Sequence, residues 1–460
     1  MEKLYRARWV LPIAAAPIRD GAIVVQDERL AAVGEHAQLA EMFPEAESYD
    51  IGEAAILPGL VNTHTHLELT AMRGFLEAEE SDFFAWLRKL TLARLERMTP
   101  DDLYVSAAWG ACEAARAGIT SLGDASDAAA QSMRALREVG LRGIVYQESF
   151  GPDPRLASEN FEKLKSKVAA LREFETPLVR VGVSPHAPYT VCGAQLEMIS
   201  DFALSDRLPL MIHTAESKFE ELLLRSGAGP FAEGFARRGI EWSTPASSSV
   251  QYLAQHGILQ TKPLLTHCIN VDDADVETIK ESGAGIAHCP KSNAKLRHGH
   301  APFVKFLEAK IPMGFGSDSM ASNNTCDILE EARFATLFAR GRDGNVDAAW
   351  QSTNDELEML GAADALRTAT LGGARALGLG GLVGELTVGQ QADFIAVSLN
   401  SPHQRPVYDP AAALIFASSG RDVVMTVVAG REVYRDGHVL TVDEDHLRAR
   451  MDEIAARLRS

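Results

Sequence analysis

The sequence predicts a (β/α)8 barrel that carries a small β-sandwich domain built from both chain ends. Three observations predict it. Eight short apolar runs alternate with amphipathic stretches through the middle of the chain, histidines gather at the ends of those runs, and hairpin-like segments flank the region on both sides. At 460 residues the chain exceeds the ~250 of a typical barrel by enough for an accessory unit. Alternating β and α elements force parallel pairing through crossovers, which places the fold in the α/β class.

Residues 1–56 form the first part of the β domain. Gly21 to Gln26, the polar Asp27-Glu-Arg29 and Leu30 to Val33 read as a hairpin. The apolar run Trp9 to Ile18 contains Pro12 and Pro17, falls short of the ~20 residues of a membrane span, and leads into Asp20 and a strand pattern. Neither signal peptide nor anchor is expected there. The barrel is expected over 57–380, with strands at Gly59–His66, Ile119–Asp124, Arg142–Glu148, Val179–His186, Leu208–His213, Leu264–Cys268, Ala284–Cys289 and Ile311–Ser317. Helical patterns over Pro100–Ala117, Glu159–Phe174 and Asp272–Ser282 separate several of them, and Asp364–Leu379 offers a last helix. Residues 381–440 return to strands, Ala392–Val397, Val423–Val428 and Glu432–Tyr434. Neither end alone has enough strands to bury a face, so the two share one domain. A charged C-terminal helix occupies 441–460.

Composition narrows the partners. Lys and Arg number 45 against 63 Asp and Glu, a net charge of -18, with no long basic run. Such an excess repels phosphate backbones and anionic lipid heads, so neither nucleic acid nor membrane is expected as a partner. The expected partner is a small-molecule substrate, the expected compartment the cytoplasm, and a homo-oligomer is compatible with the composition. Five cysteines without CxxC spacing read as free, mostly buried thiols.

Six of the thirteen histidines, His64, His66, His186, His213, His267 and His288, fall at or near the C-terminal ends of expected barrel strands, the rim where barrel active sites are built. In Asn62-Thr-His-Thr-His66 the two imidazoles sit two apart on an extended segment and project from one face, as a metal requires. His213-Thr-Ala-Glu216, His267-Cys268 and Ser317-Asp318-Ser319 add imidazoles and carboxylates from other strands. Neutral imidazole and carboxylate suit zinc or ferrous iron, and three or four such ligands leave room for a water.

The order HxH, HxxE, HC, SDS resembles the amidohydrolase superfamily. Pro58-Gly-Leu-Val-Asn-Thr-His-Thr-His66, Ser184-Pro-His-Ala-Pro-Tyr189, Cys289-Pro-Lys-Ser-Asn293 and Gly316-Ser-Asp-Ser-Met-Ala-Ser-Asn323 are similar to its cytosine/adenosine-type deaminase group. The resemblance implies His64, His66, His213 and Asp318 as metal ligands, and Glu216, His267 and Asp318 as catalytic residues. Glu216 is the implied proton shuttle, His267 the partner of the attacking water or of the leaving side, and Asp318 the acceptor of a proton from water that the metal acidifies. It implies one divalent metal, zinc first and ferrous iron second, because the fourth strand, Val179-Arg-Val-Gly-Val-Ser-Pro-His186, lacks the bridging lysine of two-metal members. Trp86, Arg88, Glu148 and His186 stand as substrate contacts, with Arg88 available to a carboxylate. Glu68, Lys291, Asn293, His298 and His300 receive no assigned role.

The activity so implied is hydrolytic removal of an exocyclic amine, as ammonia, from an adenine-type nucleoside. His66-Leu-Glu-Leu69, Trp86-Leu-Arg88 and Tyr146-Gln-Glu-Ser-Phe-Gly151 look most like aminodeoxyfutalosine deaminases. The alternative is the methylthioadenosine/S-adenosylhomocysteine branch, which usually carries a ribose-binding glutamate where this chain has Arg94 and Leu95, with Glu96 displaced. A chlorohydrolase-like or cyclic-amide hydrolase and a catalytically silent binding protein on the same barrel complete the alternatives.

Overall fold

The structure, a computed structural model, describes residues 2–343 and 360–459. The chain opens with five strands, β1 (Glu2–Val10), β2 (Ile18–Gln26), β3 (Arg29–Glu35), β4 (Glu47–Asp50) and β5 (Ala54–Pro58). After the barrel come β14 (Phe394–Ser398), β15 (Val423–Val428), β16 (Arg431–Arg435) and β17 (His438–Val439). These nine strands form one sheet in the order β17-β16-β15-β14-β5-β1-β2-β3, with β4 beside β1. The ends meet through β5 and β14, paired antiparallel from Ala54–Ser398 to Pro58–Phe394. The sheet curls on itself into a sandwich: Leu30 N–H donates to Gln390 O and Ala392 N–H to Glu28 O, which brings the β2–β3 hairpin against the entry to β14. Tyr5, Ile23, Ile56, Phe394 and Met425 fill the space enclosed.

The eight barrel strands are β6 (Leu60–Thr65), β7 (Ile119–Ser126), β8 (Arg142–Ser149), β9 (Val179–Pro185), β10 (Met211–Thr214), β11 (Leu264–His267), β12 (Gly285–His288) and β13 (Met313–Phe315). β6 to β9 and β10 to β13 form two parallel four-stranded sheets. Parallel bridges at Val183–Leu210 and Thr65–Asp318 join them into a closed barrel. Closure removes the unpaired edges an open sheet would expose. Val61, Ile144, Tyr146, Met211, Leu264 and Ala287 fill the interior and rest on Leu377 and Leu379. The polar residues of the same strands therefore lie above this apolar floor.

The stretch Asp364–Leu379 departs from the single helix expected. It runs as a helix over Ala362–Arg367, a π turn over Thr368–Gly372 and a short helix over Gly373–Ala376. The reason is close approach: a Cβ on Gly372 would stand 2.4 Å from Met313 O, and one on Gly373 would stand 2.9 Å from the Val61 Cβ. Only a glycine pair lets this segment seal the gap between β6 and β13. The tail forms a helix over Glu444–Arg459, where Arg450 and Arg457 bond Asp101 and Asp102. All five cysteines are free and buried. Among the described residues no helix is long and apolar enough to cross a membrane.

Candidate metal and active site

The polar ends of the barrel strands converge. β6 pairs with β7 through a register shift, Asn62 opposite Leu122 but Thr65 opposite Asp124, so β6 carries one extra residue. A bulge of this kind inverts the inward–outward alternation. Val61 faces the barrel floor, and His64 nevertheless turns into the same interior, its ring 4.8 Å from that of His66. The end of β13 must come close to His64: a Cβ on Gly316 would lie 2.9 Å from the His64 Cβ, a contact that side chains do not make.

Four residues surround one point. His64 Nε2 and His66 Nε2 lie 3.5 and 3.7 Å from Asp318 Oδ1. The His213 ring stands 4.9 Å from His64 and 5.4 Å from His66. His213 donates Nδ1–H to His186 O at 2.8 Å, which leaves its Nε2 as the free lone pair. His64 Nε2 is buried without a hydrogen-bond partner. An unpartnered buried acceptor is costly unless something fills the position. Ligand atoms held ~2.1 Å from one tetrahedral ion sit ~3.4 Å apart, which the 3.5 and 3.7 Å separations of His64 and His66 from Asp318 match. These residues fit a divalent metal.

Their charge states fit as well. Burial pushes the imidazoles of His64 and His66 down, and that of His213 to about 4, so all three are neutral ligands at neutral pH. Burial would raise the Asp318 carboxyl, but the His64 ring 3.5 Å away and the neighbouring imidazoles of His267 and His66 hold it well below the carboxylate range. Ser292 Oγ and Ser322 Oγ donate to Asp318 Oδ2 at 2.5 and 3.0 Å, and Ser319 N–H donates to Oδ1 at 2.7 Å. Both oxygens are thereby oriented.

Beyond these four, Glu216 and His267 face each other, Oε1 to Nε2, at 3.6 Å. Burial alone would raise the Glu216 carboxyl; the imidazoles of His267 and His298 outweigh it and leave Glu216 a carboxylate. Glu220 accepts the backbone N–H groups of Ala215 and Glu216 at 2.8 and 3.0 Å. That supports a left-handed turn at Ala215, φ 52°. His267, Cys268 and Asp318 also have positive φ, 74°, 49° and 55°. Such strain at strand ends persists where surrounding bonds fix it, and it re-aims side chains that strand geometry would turn elsewhere.

Glu148 and His186 flank His213, with one donor atom from each of the three residues within 4.8 Å of the others. They do not add a second metal position around His213, because its Nε2 has one lone pair and its Nδ1 is already a donor. Burial, reinforced by Glu68 and Asp127, pushes the Glu148 carboxyl well above its ordinary range, and its Oε1 has no hydrogen-bond partner. Trp86 is buried and stacks on Phe83, whose ring meets that of His298 edge-on at 4.8 Å.

Arg88 requires a correction. It is exposed and lines a surface groove with Phe75, Leu92 and Leu458. It belongs to a helix, Phe83–Arg97, and residues two apart on a helix point to different sides. The arginine that the fold brings inward is Arg94, eight residues after Trp86 and so on its face. Arg94 Nε donates to Glu68 Oε1 at 2.7 Å and Nη1 to Asp127 Oδ2 at 3.1 Å. That spacing on a helix was the signal available for it. His288, counted among the rim histidines, turns outward and stacks on Phe303 at 5.5 Å. Asn293, without a role from sequence, accepts His267 Nδ1–H at 2.8 Å, and Lys291 pairs with Glu330.

Asp124 supports the site from below, its Oδ1 accepting Leu67 N–H at 2.7 Å just past His66. Burial raises this carboxyl from 3.8 to about 8. The folded chain then holds a proton that the unfolded chain has lost, so the stability from this group falls as pH rises across that window. Asp124→Asn keeps an acceptor for Leu67. Its melting temperature relative to wild type is expected to increase steadily between about pH 4 and about pH 8 and to level off above, in thermal melts at fixed zinc. A pH-independent difference would mean that Asp124 titrates normally.

Comparison with known proteins agrees with this geometry. The profile of the Amidohydrolase family matches residues 55–433. The chain is 33% identical over 443 residues, 95% of its length and 94% of the relative's, to a 5-methylthioadenosine/S-adenosylhomocysteine deaminase of Syntrophobacter fumaroxidans. It is 32% identical, over 96% of this chain and 94% of the other, to the protein of the same name from Pelotomaculum thermopropionicum. Among solved structures, an adenosine deaminase of Xanthomonas campestris with bound zinc superposes with a TM-score of 0.84 at 26% identity, covering 99% of this chain and 98% of that one. A barrel closed over this imidazole–carboxylate cluster, together with these matches, establishes that the chain belongs to the amidohydrolase family and is a divalent-metal hydrolase of carbon–nitrogen bonds other than peptide bonds.

Proposed function

We propose that the protein deaminates an adenine-type nucleoside by hydrolysis, releasing ammonia, with a single zinc ion held by His64, His66, His213 and Asp318. The observation that carries this reading is the Glu216 carboxylate, placed beside the imidazole cluster and facing His267 Nε2 at 3.6 Å. A divalent ion at such a site supplies Lewis acidity, lowering the pKa of water from 15.7 to about 7.

The chain's own residues do the rest. Glu216 begins as a carboxylate, takes one proton from the attacking water and delivers it to a ring nitrogen, where it stays in the product. Asp318, oriented by Ser292 and Ser322, accepts the second water proton as the carbonyl forms, and that proton passes to the amine as the C–N bond breaks and ammonia departs. His267, with Nδ1–H fixed by Asn293, turns its Nε2 lone pair toward the reacting side. The neutral Glu148 carboxyl both donates and accepts, which suits a sugar hydroxyl, and Trp86 and Phe83 supply an apolar wall.

Within adenine-type nucleosides, the reading that fits best is the thioether class, methylthioadenosine and S-adenosylhomocysteine. The two curated relatives carry that name. Aminodeoxyfutalosine remains the second reading on the strength of Tyr146-Gln-Glu-Ser-Phe-Gly151, but it depended on Arg88 meeting a carboxylate. Arg88 lies outside the cluster, and Arg94 is already paired with Glu68 and Asp127. Ammonia release by the zinc-loaded protein should give the highest kcat/KM with methylthioadenosine or S-adenosylhomocysteine, and Arg88→Ala should change it by less than about 2-fold, the scale of a surface substitution. Preference for aminodeoxyfutalosine that Arg88→Ala removes would reverse the assignment. No ammonia from any of these compounds would turn the reading toward triazine or cyclic-amide substrates.

A further inference from the structure

His298 stands on the Gly/His-rich loop after β12, 8% exposed, in edge contact with Phe83. Its Nε2 is buried without a hydrogen-bond partner and lies 3.7 Å from Glu216 Oε1. His298 N–H donates to Asn293 O at 2.9 Å, and the same Asn293 accepts His267 Nδ1–H at 2.8 Å. One residue thus holds the ring of His267 and the backbone of His298, whose imidazoles both face Glu216 Oε1. The two are not equivalent. With its proton on Nδ1, His267 offers Oε1 a lone pair and cannot donate to a carboxylate. His298 carries no such constraint from Asn293, which touches only its backbone. On the other oxygen, Tyr189 O–H donates to Glu216 Oε2 at 3.3 Å.

We propose that His298 is a positioning residue for proton transfer, its Nε2–H donating to Glu216 Oε1 in the working enzyme. The terminal torsion of glutamate is broad and two-fold, so one donor leaves the carboxylate plane free to swing, whereas donors on both oxygens fix it. Oε1 keeps a second lone pair for the proton it carries. Moving from 3.7 Å to hydrogen-bond distance takes less than about 1 Å, a tightening common on going from a free to a working site. The inference rests on the reading of Glu216 as the shuttle.

The test compares two variants, zinc-loaded, in ammonia release from methylthioadenosine. His298→Leu keeps bulk against Phe83 and removes the donor; His298→Gln restores an N–H near the Nε2 position but cannot titrate. His298→Leu is expected to lose roughly 10- to 100-fold in kcat, the scale of a hydrogen bond to a charged group, with KM and zinc content unchanged. His298→Gln is expected to recover most of the loss. A crystal structure of the zinc-loaded wild type should place Nε2 within about 3.2 Å of Oε1. Full kcat in His298→Leu, equal loss in His298→Gln, a change confined to KM, or a crystallographic separation that stays beyond about 3.5 Å each overturns the proposal. Glu216→Gln measured alongside separates the two failures. If it retains turnover, the shuttle reading itself fails; if it collapses while His298→Leu does not, only the role of His298 fails. Should the wild type release no ammonia from this nucleoside, the crystallographic distance decides.

Discussion

Glu216→Gln is expected to lower turnover by roughly 100-fold or more while metal content stays at the wild-type level, because the amide keeps the shape of the side chain but cannot ferry a proton. Metal retention is expected since Glu216 lies outside the group formed by His64, His66 and Asp318. Local geometry should survive too. The amide oxygen can still accept from Tyr189 O–H, and the backbone N–H groups of Ala215 and Glu216 remain held by Glu220. Steady-state ammonia release and elemental analysis on the same preparation check both halves. Near-native turnover would move the shuttle elsewhere. The next acid to test would be Glu148, whose Oε1 is unpartnered, and not Glu68, whose oxygens are engaged by Arg94, Ser126 and Ala128 N–H.

The second large effect is expected from His64→Ala combined with His66→Ala. Two of four proposed ligands disappear, so bound zinc should fall from about one per chain to background and turnover should vanish with it. The barrel should still fold. Its floor of Ile144, Tyr146, Met211 and Leu264 lies below the site, and the loss of His64 leaves no hydrogen-bond partner of its Nε2 stranded. Elemental analysis, far-UV circular dichroism and gel filtration follow metal, fold and assembly. Zinc retained by the double variant would overturn the ligand assignment. Two tightly bound metals in the active wild type would overturn the single-ion reading, which rests on the missing lysine at the end of β9 and on the one available lone pair of His213.

Much of this was legible in the chain itself because it depends on local pattern. Period and length of the apolar runs specify strands and helices, their alternation forces a parallel barrel, and barrel strands end where catalytic groups gather. His64, His66, His213, His267 and Asp318 could therefore be located as strand-end residues, and the structure brings their side chains together. What lies beyond was decided by tertiary contacts. Trp86 and Arg88 are two residues apart, and only the docking of helix Phe83–Arg97 turned the first inward and left the second exposed. His288 reads in sequence as a rim histidine and His298 as a loop residue without a role, yet strand parity turns His288 outward onto Phe303 while the loop returns His298 to Glu216. The carboxyls divide for the same reason: burial, reinforced by Glu68 and Asp127, raises Glu148, whereas imidazoles arriving from other strands hold Asp318 down against its burial. The sequence by itself determined the fold and the kind of ligand atoms at the barrel rim, because those follow from periodicity and residue type. Only the tertiary structure decided which polar side chains face one another and in which protonation state, because those depend on distances between segments far apart in the chain and on the water that packing excludes.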